Sequence, residues 1–239
     1  ALKTFSLSTL ALHSGHPTAS IEIYDPETNH WTAVAALNDA RADFAAVQTG
    51  GRVAFFGGAG SDGPIASVEV FDPASGECRM IGVLSSPRQN HAAASLEDGR
   101  VLIAGGSDGT QSLASADIYD PSTNTISAAP DMSTPREEFT ATLLADGSVL
   151  MAGGRNGPYD QSTAELFDAS SGTFVVLESS LGEARHAHVA IALPFNSAVL
   201  IAGGSSNGDP LSSAEIFTPW DRTFQRGAPM AHARTAAVA

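Results

Sequence analysis

One tetrad, Leu or Met followed four residues later by Arg, recurs five times along the 239-residue chain, at Leu37–Arg41, Leu84–Arg88, Met132–Arg136, Leu181–Arg185 and Met230–Arg234. Successive arginines stand 47, 48, 49 and 49 residues apart, and the interval from Arg234 across the joined ends back to Arg41 is nearly the same length. The chain reads as five copies of one unit, cut inside a copy. Equal units leave no linker and no break in composition, so residues 1–239 are expected to form a single domain.

Each unit has an internal grammar. After Arg88 an apolar stretch from His91 to Leu96 leads to Asp98-Gly99, then Val101 to Ala104 and the doublet Gly105-Gly106. Asp-Gly between two apolar runs signals a tight hairpin. A loop from Ser107 to Leu113 follows, then Ala116 to Pro121, a turn at Ser122-Thr123-Asn124, and a last strand from Ile126 to Met132. These are four strands, a to d. Strand b is apolar on both faces, as in a sheet covered on each side. A repeat of this length with four short strands marks a propeller blade rather than a helical solenoid.

The ends complement one another. Residues 234 to 239 look like the start of a strand a, while Thr9 to Gly15 looks like a strand b followed by a strand c at Ile21 to Asp25. A C-terminal strand closing the first blade would remove the unpaired edges. The expectation is an all-β propeller of five four-stranded blades closed in this way. A five-unit segment of a six- or seven-bladed ring is the alternative.

The recurring features, taken together, resemble the kelch repeat: Arg-x-x-His/Phe, Asp-Gly, the glycine doublet, and Glu/Asp-x-Tyr/Phe-Asp-Pro as at Phe71-Asp72-Pro73. The resemblance spans the chain and implies a kelch β-propeller, like the central domain of galactose oxidase. It departs from the family at the seventh position after the aromatic, where Trp31 gives way to Cys78, Ile126, Phe174 and Phe224. Kelch propellers serve as enzymes, adaptors and scaffolds, so function must be argued from the site.

The recurring arginines admit two readings. On strand c every unit has an acid two residues before the aromatic, and an arginine on strand a could reach it across the glycine end of strand b. The pairs would be Arg41 with Glu69, Arg88 with Asp117, Arg136 with Glu165, Arg185 with Glu215, and Arg234 with Glu22. The other reading is a ring of guanidinium groups that binds carboxylates or phosphates. In some kelch adaptors arginines at this place, with residues just after the doublet, hold acidic peptides, which the resemblance carries to Asp62, Asp108, Arg155, Asn156 and Asn207. These post-doublet loops differ between copies, and variable loops on a rigid scaffold are where binding resides. Tyr159 has no evident core slot and is the foremost contact candidate.

Glu137 and Glu138 open a strand a and place acids at the mouth, while His186 and His188 form His-x-His at a strand start, with both rings on one face. His91 and His188 hold the slot of Phe44 and Phe139, which marks them as packing residues. No Cys/His cluster has metal-ligand spacing, so no metal is expected. The copper–radical site of galactose oxidase needs a Tyr crosslinked to Cys, a second Tyr and two His. Here the only cysteine, Cys78, sits in an apolar strand-d slot, and Tyr24 and Tyr119 are strand-c aromatics. That site is absent, and no cofactor or catalytic residue is expected.

With 26 acidic and 12 basic residues the net charge is −14, which repels nucleic acid and anionic membranes. No apolar run reaches the ~20 residues that cross a bilayer, so membrane insertion is not expected. The expected function is a non-enzymatic binding or scaffold module whose mouth loops recognise a protein or carbohydrate. The alternative is a propeller enzyme acting on a sugar or small acid with Arg155, His186 and Glu137 or Glu138. Low lysine, a composition rich in Ala, Gly, Ser and Thr, and near-identical repeats point to part of a larger exported or cell-surface bacterial polypeptide.

Overall fold

The computed structural model describes residues 16–194 and 196–235. Blade one contributes the antiparallel pair β1 (Thr18–Asp25) and β2 (His30–Arg41). Blade two comprises β3 (Ala45–Thr49), β4 (Arg52–Phe56), the two-residue strands β5 (Ala59–Gly60) and β6 (Gly63–Pro64), then β7 (Ser67–Asp72) and β8 (Glu77–Val83). Blade three is β9 (Ala92–Ser95), β10 (Val101–Ala104), β11 (Ala116–Asp120) and β12 (Thr125–Ala129). Blade four runs through β13 (Thr140–Leu143), β14 (Val149–Ala152), β15 (Arg155–Asn156), β16 (Tyr159–Asp160), β17 (Ala164–Asp168) and β18 (Thr173–Val176). Blade five holds β19 (Val189–Ala192), β20 (Val199–Ala202), β21 (Ser205–Ser206), β22 (Asp209–Pro210), β23 (Ala214–Thr218) and β24 (Thr223–Arg226).

In blades two to five the order is a-b-c-d, for example β3-β4-β7-β8, and all pairings are antiparallel. Strands a of successive blades adjoin: β3 with β9, β9 with β13, β13 with β19. The fold is an all-β propeller of several blades. The strand read at Thr9 to Gly15, and residues 236 to 239 that would pair beside it, lie outside the described residues.

Strand b explains the packing, because its alternate residues enter two different cores. Val101 and Ile103 join Ala54, Phe56 and Leu84 of blade two, whereas Leu102 and Ala104 join Met132, Phe139 and Met151 toward blade four. β14 repeats this, sending Val149 and Met151 one way and Leu150 and Ala152 the other. The apolar run is therefore a buried strand with two covered faces. The tetrad's Leu or Met is buried between blades in each described copy up to Leu181.

The strand-d slot is less buried than the sequence suggests. Trp31 is exposed and Cys78, Ile126, Phe174 and Phe224 are half-buried, because strand d is the outer edge of its sheet. Each lies opposite the strand-c aromatic, as Phe167 and Phe174 do at a ring separation of 5.0 Å.

Candidate functional site at the strand-b end of the blades

Strand a begins, b ends and c begins at one mouth, where two systems of contacts meet. In the first, each buried arginine is held by its own blade. Arg136 Nη1 donates to the carbonyls of Gly153 (2.7 Å) and Thr163 (3.1 Å), while Nη2 donates to Thr163 Oγ1 and Glu165 Oε1 (2.9 Å). Arg41 with Glu69 (2.6 Å), Arg88 with Asp117 (3.1 Å) and Arg185 with Glu215 (2.9 Å) repeat it. All four arginines are 0% exposed, so no guanidinium face at these positions is open to a ligand. The acid also accepts from the amide that follows the tetrad's Leu or Met, as Glu165 Oε2 does from Ser133 N at 2.7 Å. The tetrad spacing thus lets one carboxylate bind both ends of the d-to-a connection.

Burial pushes the Glu69 carboxyl up, but the amides of Asn38 and Asp39, the Asn38 side chain and Arg41 outweigh it and leave it below its ordinary value. Burial pulls Arg88 and Arg136 down, against the pull of Asp117 and Glu165. Sequence reasoning missed one member of this lock, the Ser or Thr two residues before the acid (Ser67, Ser115, Thr163, Ser213), whose hydroxyl accepts from the guanidinium. Its recurrence in every unit, Ser20 included, is the signal that would have found it.

The fifth pair differs from the expectation. Arg234 takes the same main-chain seat as its predecessors, donating to Leu211 O (3.0 Å) and accepting from Gly204 N (2.9 Å). Its side chain is exposed, Glu22 is exposed on β1, and no ion pair joins them among the described residues. The strand that the sequence puts between them lies outside the described residues.

The glycine doublet also has a different cause from the one inferred. A Cβ on Gly153 would lie 2.6 Å from Arg185 O and 2.8 Å from His188 Cε1, and one on Gly154 would lie 2.7 Å from Glu137 O and from Phe139 Cβ. Main chain from two blades and the aromatic slot crowd the doublet, more than the guanidinium does. Both glycines also have positive φ, 62° and 91°, which a side chain disfavours.

The second system links neighbouring blades. Asp43, Asn90, Glu138 and Ala187, each two residues beyond its arginine, all have left-handed backbone, with φ of 50°, 53°, 54° and 49°. Their main chains form a relay: Asn90 N donates to Asp43 O (3.0 Å), Glu138 N to Asn90 O (2.9 Å), and Ala187 N to Glu138 O (2.9 Å). The left-handed turn at Ala187 breaks strand alternation, so His186 and His188 do not share one face. His188 is buried, with Nε2 3.0 Å from Thr140 Oγ1, and His186 lies over the mouth.

Above the relay, side chains form a network across blades three to five. Ser112 Oγ donates to Glu137 Oε1 at 3.1 Å. Arg155 Nη2 meets Glu138 Oε1 at 3.0 Å, and its Nε stands 3.9 Å from Glu137 Oε1. His186 lies between two acids, Nδ1 2.7 Å from Asp160 Oδ1 and Nε2 3.6 Å from Glu138 Oε2. Asp160 Oδ2 accepts from Asn207 N at 2.6 Å. The structure therefore brings Arg155, Glu137, Glu138, His186 and Asn207 together and adds Asp160 and Ser112, which sequence reasoning passed over. Nothing in the sequence flagged Asp160, because these segments were read as loops rather than the ladders β5–β6, β15–β16 and β21–β22.

Asn156 pairs across its ladder with Tyr159, whose side chain is 73% exposed. Among the described residues Asp62 and Asp108 make only local contacts, apart from this network. Asp62 accepts from Ser61, and the Asp108 carboxyl is pushed down to about 2 by the Thr110 hydroxyl and the amides of Gln111 and Thr110. Cys78 is half-buried, its Sγ 3.6 Å from Glu69 Oε2, and burial beside that acid pushes the thiol up to about 11. Among the described residues no group of three or more His, Cys, Asp or Glu is placed to hold a metal ion. At the opposite end of the blades a groove of about 500 Å³ carries Arg52 and Arg79, paired with Asp72 and Glu77.

Comparison with known proteins agrees with this architecture. The family model described as Kelch motif matches residues 13–38 and 87–133, a part of the chain that takes in Arg88 and the four strands of blade three. The chain is similar to that family there, and repeats of this kind commonly mediate protein binding. No curated protein matches the chain. Among the described residues no helix is long and apolar enough to cross a membrane.

Proposed function

We propose that this chain is a non-enzymatic binding or scaffold module that takes a protein or glycan partner on the post-doublet hairpins at the mouth. The observation that carries the reading is the contrast between two kinds of position. The arginine–acid lock is the same in four blades and withdrawn from solvent. The first residue after the doublet changes from Ala59 to Ser107, Arg155 and Ser205, and the hairpins beyond it are exposed and dissimilar. A fixed frame with variable rims is the arrangement of a recognition surface. Replacing residues 155–159 by the Ser107-Asp108-Gly109 type of turn should abolish partner binding and leave the melting temperature nearly unchanged. Intact binding after that exchange would end the reading.

The network favours one second reading, an enzyme acting on a sugar or small acid. His186 held by Asp160, with Glu138 and Arg155 beside it, resembles an acid–base constellation. Against it, the same groups are already engaged with one another, which suits a strut between blades. Turnover of sugar substrates that is lost in both His186→Ala and Glu138→Gln would favour the enzyme.

A further inference from the structure

The side chains that join one mouth hairpin to the next occupy a single place in the blade. The residue opposite the first post-doublet position is Pro64 in blade two, Ser112 in blade three and Asp160 in blade four, paired with Ala59, Ser107 and Arg155. Each reaches the same point of the following blade, two residues beyond that blade's first post-doublet position. A Cβ on Gly109 would lie 3.2 Å from Pro64 Cδ, Gly157 N donates to Ser112 Oγ at 3.0 Å, and Asn207 N donates to Asp160 Oδ2 at 2.6 Å. The place recurs while its residue changes from blade to blade.

Ser112 and Asp160 also hold the root of the hairpin they reach. Ser112 Oγ donates to Glu137 Oε1 at 3.1 Å, and Asp160 Oδ1 stands 2.7 Å from His186 Nδ1. Glu137 and His186 in turn bridge through main chain to Arg155 and Ser205, the first residues of the two hairpins. One side chain thus fixes both the root and the tip of its neighbour. Ser112 is 7% exposed and the Asp160 side chain 9%, so both lie beneath the rim and leave its outer face, Tyr159 included, to a partner. We propose that Ser112 and Asp160 are positioning residues of the rim: each sets the next blade's hairpin from below, so that the hairpins of blades three, four and five respond as one surface and not as separate loops. A surface set in advance loses less freedom when it binds. The proposal concerns the hairpins that the binding reading uses, but its test needs no partner, and either can fail without the other.

Exchange of single amides with solvent, followed by NMR on the full chain at one pH, tests it. Ser112→Ala removes the acceptor of Gly157 N and should speed exchange there about fivefold. It should also speed exchange about twofold at Asn207, one blade further on, whose own acceptor Asp160 is untouched. Asp160→Ala should do the converse, about fivefold at Asn207 and about twofold at Gly157, because coupling between two sites is reciprocal. Ser112→Thr keeps a hydroxyl that both accepts and donates, and should hold both amides near their original rates. Gly99 and Gly172, whose amides close turns at the other end of the blades, should not change in any variant. A rise confined to the amide that lost its own acceptor would mean independent loops and overturn the proposal. So would Ser112→Thr behaving as Ser112→Ala does, or an equal rise at Gly99 and Gly172, which would mark a loosening of the whole molecule.

Discussion

Removing the Arg136 guanidinium would leave Glu165 buried with no cation and the carbonyls of Gly153 and Thr163 without their donor. Arg136→Ala should therefore cost about 3–5 kcal/mol, read as a lower urea midpoint. The buried imidazoles act at a different pH. Burial, then Arg88 for His91 and Arg185 for His188, pushes both down to about 3, so they are neutral in the folded protein. The unfolded chain takes up a proton near pH 6.5 that the folded chain refuses until about pH 3. Stability is complete above pH 6.5 and falls below it by about 1.4 kcal/mol per pH unit for each histidine. His91→Phe, which copies Phe44 and Phe139, should spare about 2 kcal/mol of that loss between pH 6.5 and 5, measured by denaturation at both values. Ala187 carries a left-handed backbone, with φ of 49°, that glycine adopts freely. Ala187→Gly should add about 0.5–1 kcal/mol to unfolding free energy.

At the scale of the element, the glycine doublet is the most demanding point of each blade. Gly154→Ala brings a Cβ within 2.7 Å of Glu137 O at a φ of 91°, and both contacts must give. It should lose more than 2 kcal/mol, seen as a lower melting temperature. The doublet and the four strands were legible because strands have a period of two and turns need particular residues. The partners of strand b were not, since a run such as Val101 to Ala104 does not say which neighbour lies on which face. The post-doublet hairpins escaped for a related reason: two-residue ladders have no periodicity. Asp160, the acid that anchors His186 and Asn207, therefore had no sequence signature. The pairing of Arg with acid was readable because it recurs, whereas the network around His186 occurs once and offered nothing to compare.

Over the whole molecule, the charge of −14 is spread along an array with few cations, and its self-repulsion opposes compaction. Raising salt from about 0.01 to 0.15 M should raise the melting temperature, and a fall would show that ion pairs at the blade rims outweigh that repulsion. The period was visible throughout the chain, and with it the propeller. The Arg234–Glu22 pair was the weakest expectation, because it alone needed two distant segments to meet. The relay through Asp43, Asn90, Glu138 and Ala187 bears on ancestry, for it joins one blade to the next through main-chain groups alone, while the arginine lock stays within a unit. The relay itself asks for no particular side chain on either side of a junction. A gene for such a chain can gain, lose or reorder copies by recombination in whole periods, and each new junction inherits its seal from the peptide backbone while the residues of its rim diverge.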